Sequence, residues 1–405
     1  MRRVKSIVFM VCIAFMLILQ TGCSGESENV TLDGLLNNDN FYVGTNEVEF
    51  LFDNEEYNDN NIQEYSIDIL EIEEYNNLNN YYPTEIYFTR IDMDSIDLVS
   101  NTKPTNVPHG YIAHWYVRHI STYFPSRVPF TYREYDMALW LMQMLHAKGF
   151  DENHVRMQTF SHYDVSIWEN YFFWGLSLGL EQIEQMGWFY GHETRGYSQN
   201  VIVTIPGQST QTIIIGAHYD SLRYSGASDN ASGVALLMEN AQRMLNNDNY
   251  YTLKYVFFGA HEIGLYGAFY FYESLTQEER DAIVLYISAD VLIEGPELFI
   301  STGYSFQLNQ NPLSEQILEF VTSFSDTNDI TIGTDWTLTG SDEQVFLYRG
   351  YTTMAFWGLC LNNFTNFLHS YKDCYEYISA RFPGMIERTM NIYSLLLEKF
   401  LMEGI

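Results

Sequence analysis

Ile213-Ile214-Ile215-Gly216-Ala217-His218-Tyr219-Asp220 joins an unbroken apolar run to a knot of polar, metal-ligating residue types. The chain repeats the device twice, in Lys254-Tyr255-Val256-Phe257-Phe258-Gly259-Ala260-His261-Glu262 and in Leu285-Tyr286-Ile287-Ser288-Ala289-Asp290. A short continuous apolar run bounded by turn residues reads as a strand buried on both faces. Further runs at 201–205 and 352–357 extend the set, with helical patterns at 233–245, 278–283, 312–325 and 383–402. Thr131-Tyr132-Arg133-Glu134 reads as a capping box opening a helix through Leu145 that ends near Gly149. Buried strands alternating with helices predict an α/β fold. Its expected form is a mixed, mostly parallel sheet with helices on both faces, a three-layer sandwich.

The chain has 405 residues, 46% of them hydrophobic and 16% aromatic, enough for a large globular core. Its formal charge of −32 argues against nucleic acid or an anionic membrane surface as a partner, because like charges repel. Residues 1–22 read as a leader: Arg2, Arg3 and Lys5 precede an apolar run over 7–19, too short to span a bilayer as a helix. Thr21-Gly22-Cys23 is similar to a bacterial lipoprotein processing site, with Cys23 as the lipidated first mature residue. On that reading the chain is expected outside the cytoplasm, anchored at the cell membrane through Cys23 alone; an ordinary cleaved signal and a retained anchor are the alternatives. Residues 23–107, rich in Asn, Asp, Glu and Tyr, read as a spacer or small β module, and 108–405 as the main domain. Cys360 and Cys374 lack zinc-ribbon spacing, and whether they pair is left open.

In an open α/β sheet, ligands collect beyond the C-terminal ends of the strands. The polar knots fall there, joined by the loop Gly226-Ala227-Ser228-Asp229-Asn230-Ala231-Ser232-Gly233 and by His369 and Asp373. Imidazoles and carboxylates converging at one sheet edge suit zinc, which takes nitrogen and oxygen donors at about 2.0–2.2 Å. Taken singly, each of these residues is more often structural; the joint pattern carries the reading. His109, His114, His119, His146, His154, His162 and His192 have no ligand spacing and read as structural. The aromatic residues at 171–174 read as core or rim packing, or as the wall of a cleft.

In combination these motifs, with Glu262-Ile263-Gly264-Leu265-Tyr266-Gly267-Ala268 and Ser341-Asp342, resemble the co-catalytic di-zinc aminopeptidases. That wider family includes glutamate carboxypeptidases and glutaminyl cyclases, and the resemblance runs from about Ile112 to Leu395. It implies a peptide substrate and two zinc ions. His218 and Asp290 would hold one ion, Glu262 and His369 the other, and Asp229 would bridge both. Asp220 matches the carboxylate that orients the ligating imidazole, and Asp229–Asn230 a position where the family often has a non-proline cis peptide.

The sequence departs from the family at His261, where the family has the glutamate that acts as general base. A gluzincin reading of His261-Glu262 fails, since Leu265 stands where that motif needs its second histidine. Three readings stay open: His261 as the catalytic base, His261 as a third nitrogen near the metals, or a metal-bound binding module with little activity. A single-zinc, glutaminyl cyclase-like acyltransferase is a further alternative. Glu343 is a second departure, at a position where histidine is common. Cys23→Ser is expected to abolish processing or release the protein from the membrane fraction; unchanged processing and retention on fractionation would refute the lipid anchor.

Overall fold

The structure, a computed structural model, describes residues 104–161, 196–222, 224–305, 309–334, 340–360 and 367–404. The leader, Cys23, nearly all of the 23–107 segment, His162, His192 and the aromatic residues at 171–174 lie outside them. Two helices come first, α1 (Tyr111–Tyr123) and α2 (Tyr132–Ala147), then β1 (Val155–Ser161), β2 (Tyr197–Ile205) and β3 (Thr212–His218). The tight turn Ala227–Ala231 leads into α3 (Ser232–Met244), followed by β4 (Thr252–Phe258), α4 (Tyr266–Ser274), α5 (Gln277–Ala282) and β5 (Ile283–Ala289). The remainder is β6 (Glu297–Gly303), α6 (Pro312–Asn328), β7 (Ile332–Gly333), α7 (Glu343–Leu347), β8 (Thr353–Leu359), α8 (Tyr375–Arg381) and α9 (Met385–Glu403).

The strands form one sheet in the order β1-β2-β4-β3-β5-β8-β6-β7. The centre, β4-β3-β5-β8, is parallel throughout, and β6 pairs β7 in parallel. Antiparallel pairs β1/β2, β2/β4 and β6/β8 flank that centre. Along the central strands side chains alternate between two cores, because successive residues of a strand face opposite ways. Ile213, Ile215 and Ala217 of β3, with Leu285 and Ile287 of β5, pack on the face covered by α1, α2, α3, α6 and α9. Ile214, Val256, Phe258 and Tyr286 meet Phe271 of α4 and Phe346 of α7 on the other face. The mixed sheet clad on both sides is the one expected. Strands β1, β6 and β7, helix α4 and the short α7 and α8 are additions to it.

The capping box at Thr131 does not form. Thr131 Oγ1 donates instead to the Val128 carbonyl at 2.7 Å. Glu134 turns into the core and accepts from Phe130 N at 2.7 Å, Ser198 Oγ at 2.8 Å and Ala260 N at 2.8 Å. Three buried donors from three elements outweigh one cap at a helix end, where each unmade hydrogen bond costs about 1–3 kcal/mol. Burial and the nearby Asp220 push the Glu134 carboxyl well above the usual range. Full capping boxes occur elsewhere, at Thr276 with Glu279 and at Asn311 with Ser314.

His119 has a packing role. Its ring is sandwiched between Trp115 (centroids 4.5 Å apart) and Trp140 (5.1 Å), both nearly parallel to it. Burial lowers its pKa from 6.5 to about 4. The folded state therefore holds a neutral ring that the unfolded chain protonates first. The stability of the neutral ring is fully present above about pH 6.5 and lost as pH falls from there to about 4, on the order of 3 kcal/mol in all. His119→Phe is expected to flatten that part of the pH–stability curve. Urea unfolding of both proteins in chelator between pH 7 and 4.5 measures it, and parallel curves would contradict the assignment.

Candidate metal centre

Because β3, β4 and β5 run in parallel, their C-terminal ends deliver side chains to one edge of the sheet. His218 closes β3, His261 and Glu262 follow β4, and Asp290 follows β5. Asp229 arrives from the turn that enters α3, and His369 from the chain between β8 and α8. All six side chains meet, forming two groups of potential ligand atoms: His218, His261 and Asp290, and Asp229, Glu262 and His369.

The two groups are joined by one carboxylate. Asp229 Oδ1 lies 3.1 Å from His218 Nε2, and its Oδ2 lies 2.9 Å from His369 Nε2. Asp290 Oδ1 stands 3.3 Å from His218 Nε2, and Glu262 Oε2 3.1 Å from His369 Nε2. His218 is fully buried, whereas the His369 side chain is 50% exposed, so the second group opens outward. Ala260, Val291 and His369 adopt left-handed backbone (φ 54°, 52° and 55°) although none is glycine. All three are, or adjoin, residues of the cluster, where such strain commonly concentrates. The Asp229–Asn230 peptide is cis, and Asn230 is pinned by bonds to the Ala289 carbonyl and from Gly233 N, each 2.9 Å.

The Asp220 carboxylate stands beside the His218 ring, as an orienting group would, and also braces the main chain. His218 Nδ1 donates to the Asp220 backbone carbonyl at 3.2 Å, with the side-chain Oδ1 at 3.5 Å. The carboxylate's shorter bonds come from the backbone N–H groups of His261 and Glu262, each 3.0 Å. Asp373 holds the opposite side, accepting from Ser228 N at 2.6 Å and Asp229 N at 3.2 Å. Behind both lies Arg127, fully buried, which donates to the carbonyls of Phe124, Tyr219, Ser225 and Gly226. Burial lowers its pKa to about 10, against the pull of Asp220, Asp373, Asp229 and Glu262, so it stays cationic at neutral pH.

The charges show what the cluster lacks. Its carboxylates hold protons on the imidazoles: His369, hydrogen-bonded to Asp229 and Glu262, is raised to about 11. His218 rises well above its ordinary value although burial opposes this, because Asp290, Asp220 and Asp229 surround it. Burial and His218 lower the His261 pKa, but Asp342 and Asp290 outweigh them and bring it to about 9. Asp373 is pushed up to about 7 by burial and by Asp229. Protons thus occupy positions that a cation would otherwise neutralise. His218 Nε2, Asp290 Oδ1 and Glu262 Oε1 are buried without a hydrogen-bond partner. Donors about a zinc ion stand roughly 3–3.5 Å from one another, close to the nitrogen–oxygen gaps observed. The residues fit divalent metal.

Residues 200–393 match peptidase family M28. The matched region contains every side chain of the cluster. Among curated proteins the chain is 27% identical, over 210 residues, to the alkaline phosphatase isozyme conversion protein of Escherichia coli, covering 48% of this chain and 54% of that one. It is 37% identical over 98 residues to a probable lipoprotein aminopeptidase of Mycobacterium tuberculosis, covering 24% and 20%. It is 35% identical over 96 residues to leucine aminopeptidase 1 of Fusarium vanettenii, covering 20% and 24%. The chain spans about half the length of the curated relatives it matches, or less. In fold it is similar to a zinc aminopeptidase from Bacillus subtilis (TM-score 0.55, 14% identity, 72% of this chain and 95% of that one). A glutaminyl cyclase from an Acidobacteriales bacterium is similar to a like degree (TM-score 0.53, 16% identity, 72% and 94%).

Sequence reading missed Arg127 and the true role of Glu134. The signal for Arg127 was a single cation before the apolar Val128-Pro129-Phe130, just ahead of the Thr131–Glu134 pattern. Arg127→Met removes a buried cation facing four carboxylates and strips four carbonyls of their donors. It is expected to cost about 3–5 kcal/mol in urea unfolding of the metal-free protein. Arg127→Lys, which keeps the charge, should lose less; equal losses would show that the charge itself contributes nothing.

Proposed function

We propose that the protein is a zinc metallopeptidase that removes N-terminal residues from peptides, holding two zinc ions at the M28 cluster. The observation that carries the reading is Asp229, whose two oxygens face His218 and His369 separately. One carboxylate shared in this way, with Asp290 on one side and Glu262 on the other, supports a bridge between two ions. His218, Asp229 and Asp290 would hold the first, and Asp229, Glu262 and His369 the second. The matched family and the aminopeptidases among the curated relatives support peptide as the substrate class. When bound, the ions would polarise the scissile carbonyl and make water nucleophilic near neutral pH.

The chain's own residues supply the rest. Asp220 fixes the backbone of His261 and Glu262, Asp373 fixes that of Ser228 and Asp229, and His369 lies on the exposed side where substrate enters. His261 is the side chain placed to move a proton. The lipoprotein reading of Cys23 would put this activity at the outer surface of the cell membrane, as the resemblance to a probable lipoprotein aminopeptidase also favours. A single-zinc cyclase needs one ligand group, and the presence of both groups favours the two-ion reading.

Asp229→Ala is expected to abolish both ions, because it is the one shared ligand. Elemental analysis after dialysis should give two zinc ions per wild-type chain and none in the variant. Turnover of aminoacyl anilides should drop by roughly 10³-fold or more. A variant retaining two ions would break the ligand assignment. Wild-type protein that cyclises N-terminal glutamine but cleaves no aminoacyl anilide would favour the cyclase.

A further inference from the structure

We propose that Asp342 is a positioning residue that makes His261 the proton acceptor, the pair forming a histidine–aspartate dyad where the family has a carboxylate base. The proposal rests on the peptidase reading above and deepens it. Asp342 is fully buried and stands at the start of α7, with its Oδ1 3.0 Å from His261 Nδ1. Its place is fixed locally: Glu343 folds back to accept from Gly340 N at 2.8 Å and Ser341 N at 3.1 Å, while Val345 N bonds the Asp342 carbonyl at 3.1 Å. α7 packs against β5 and β8, so the carboxylate is mounted on the central sheet.

Ring geometry decides between the two chemical roles left open for His261. The His261 and His218 rings are stacked, with centroids 3.8 Å apart and planes inclined by 8°. A ligating imidazole directs its lone pair in the ring plane at an ion about 2.0–2.1 Å away. Rings stacked and nearly parallel in this way direct their in-plane nitrogen lone pairs side by side rather than at one point. The two in-plane lone pairs do not converge, so His261 is not placed to share an ion with His218. A carboxylate at Nδ1 instead commits the ring's proton to that nitrogen and leaves Nε2 with its lone pair free. The exposure agrees: the His261 side chain is 11% accessible, while His218 and Asp342 are wholly covered. His261 is therefore the ring of the pair that solvent reaches.

The proton balance closes within the reaction. Water loses a proton to His261 Nε2 as its oxygen bonds to the peptide carbon. The imidazolium, paired with Asp342, passes that proton to the leaving nitrogen as the C–N bond breaks. The acid and amine so formed settle their remaining proton between them, and His261 returns to its starting tautomer. An orienting carboxylate is required because the other tautomer would present a proton to the water rather than accept one.

The test uses the full mature chain loaded with zinc. Asp342→Asn should lower kcat on an aminoacyl anilide by about 10²–10⁴, with KM and two bound zinc ions unchanged. In a His261→Glu background, where a carboxylate takes the proton directly, the same Asp342→Asn change should cost less than about tenfold. Equal losses in both backgrounds would reduce Asp342 to a structural role and overturn the dyad. A second readout needs no turnover: ¹⁵N-histidine NMR should place the His261 proton on Nδ1 in the wild type and redistribute it in Asp342→Asn. Protonation at Nε2 in the wild type would overturn the proposal. If the wild type cleaves no aminoacyl substrate, the peptidase reading fails, and the tautomer still reports on the dyad.

Discussion

Unbalanced buried charge is the constraint around which this molecule is arranged. The side chains of Asp220, Asp229, Glu262, Asp290, Asp342 and Asp373 lie at one sheet edge with little or no exposure. Arg127 is fully covered beside them and is claimed by four carbonyls. A buried carboxylate without a counter-charge or hydrogen bonds costs several kcal/mol. The fold answers with backbone N–H groups aimed at Asp220 and Asp373 and with imidazoles aimed at Asp229, Asp290 and Glu262. What remains calls for cations from outside, which is why an electrostatic reading and a ligand-geometry reading reach the same place.

The sheet makes that concentration of charge attainable. Three adjacent parallel strands end at one level, so His218, His261 and Asp290, far apart in sequence, become neighbours. Each apolar run is covered on both faces, and the clustered imidazoles and carboxylates gather at the edge where the strands stop. The helices stabilise the edge at a distance: Glu239 of α3 accepts from Gly110 N, Ala113 N, Arg243 Nε and Ser394 Oγ, binding α1 and α9 to the helix that Asp229 leads into.

Much of this was legible in the sequence because hydrophobic continuity is a local signal. The five central strands, α3, α6 and α9 were visible as apolar runs or periodic patterns, and the ligand-type residues stood at their ends. Strand β1 was not, since Arg156, Gln158 and Thr159 give an edge strand no apolar run. Helix α4 was hidden by its aromatic content: Phe269, Tyr270, Phe271 and Tyr272 favour strand as readily as helix, and only packing against β2 and α7 decides. Glu134 was misread because a capping box and a buried tertiary acceptor share one local pattern. Arg127 and the pairing of His261 with Asp342 depend on contacts across tens of residues, which no local pattern encodes.

Asp220 grips the main chain at positions 261 and 262, whatever side chains those positions carry. The peptide that presents Glu262 is therefore anchored independently of its neighbour's chemistry. Position 261 becomes an interchangeable socket, in which an imidazole or a carboxylate can be seated without dislodging the adjoining ligand. Such a frame would let the group at position 261 change while the neighbouring members of the cluster stay in place.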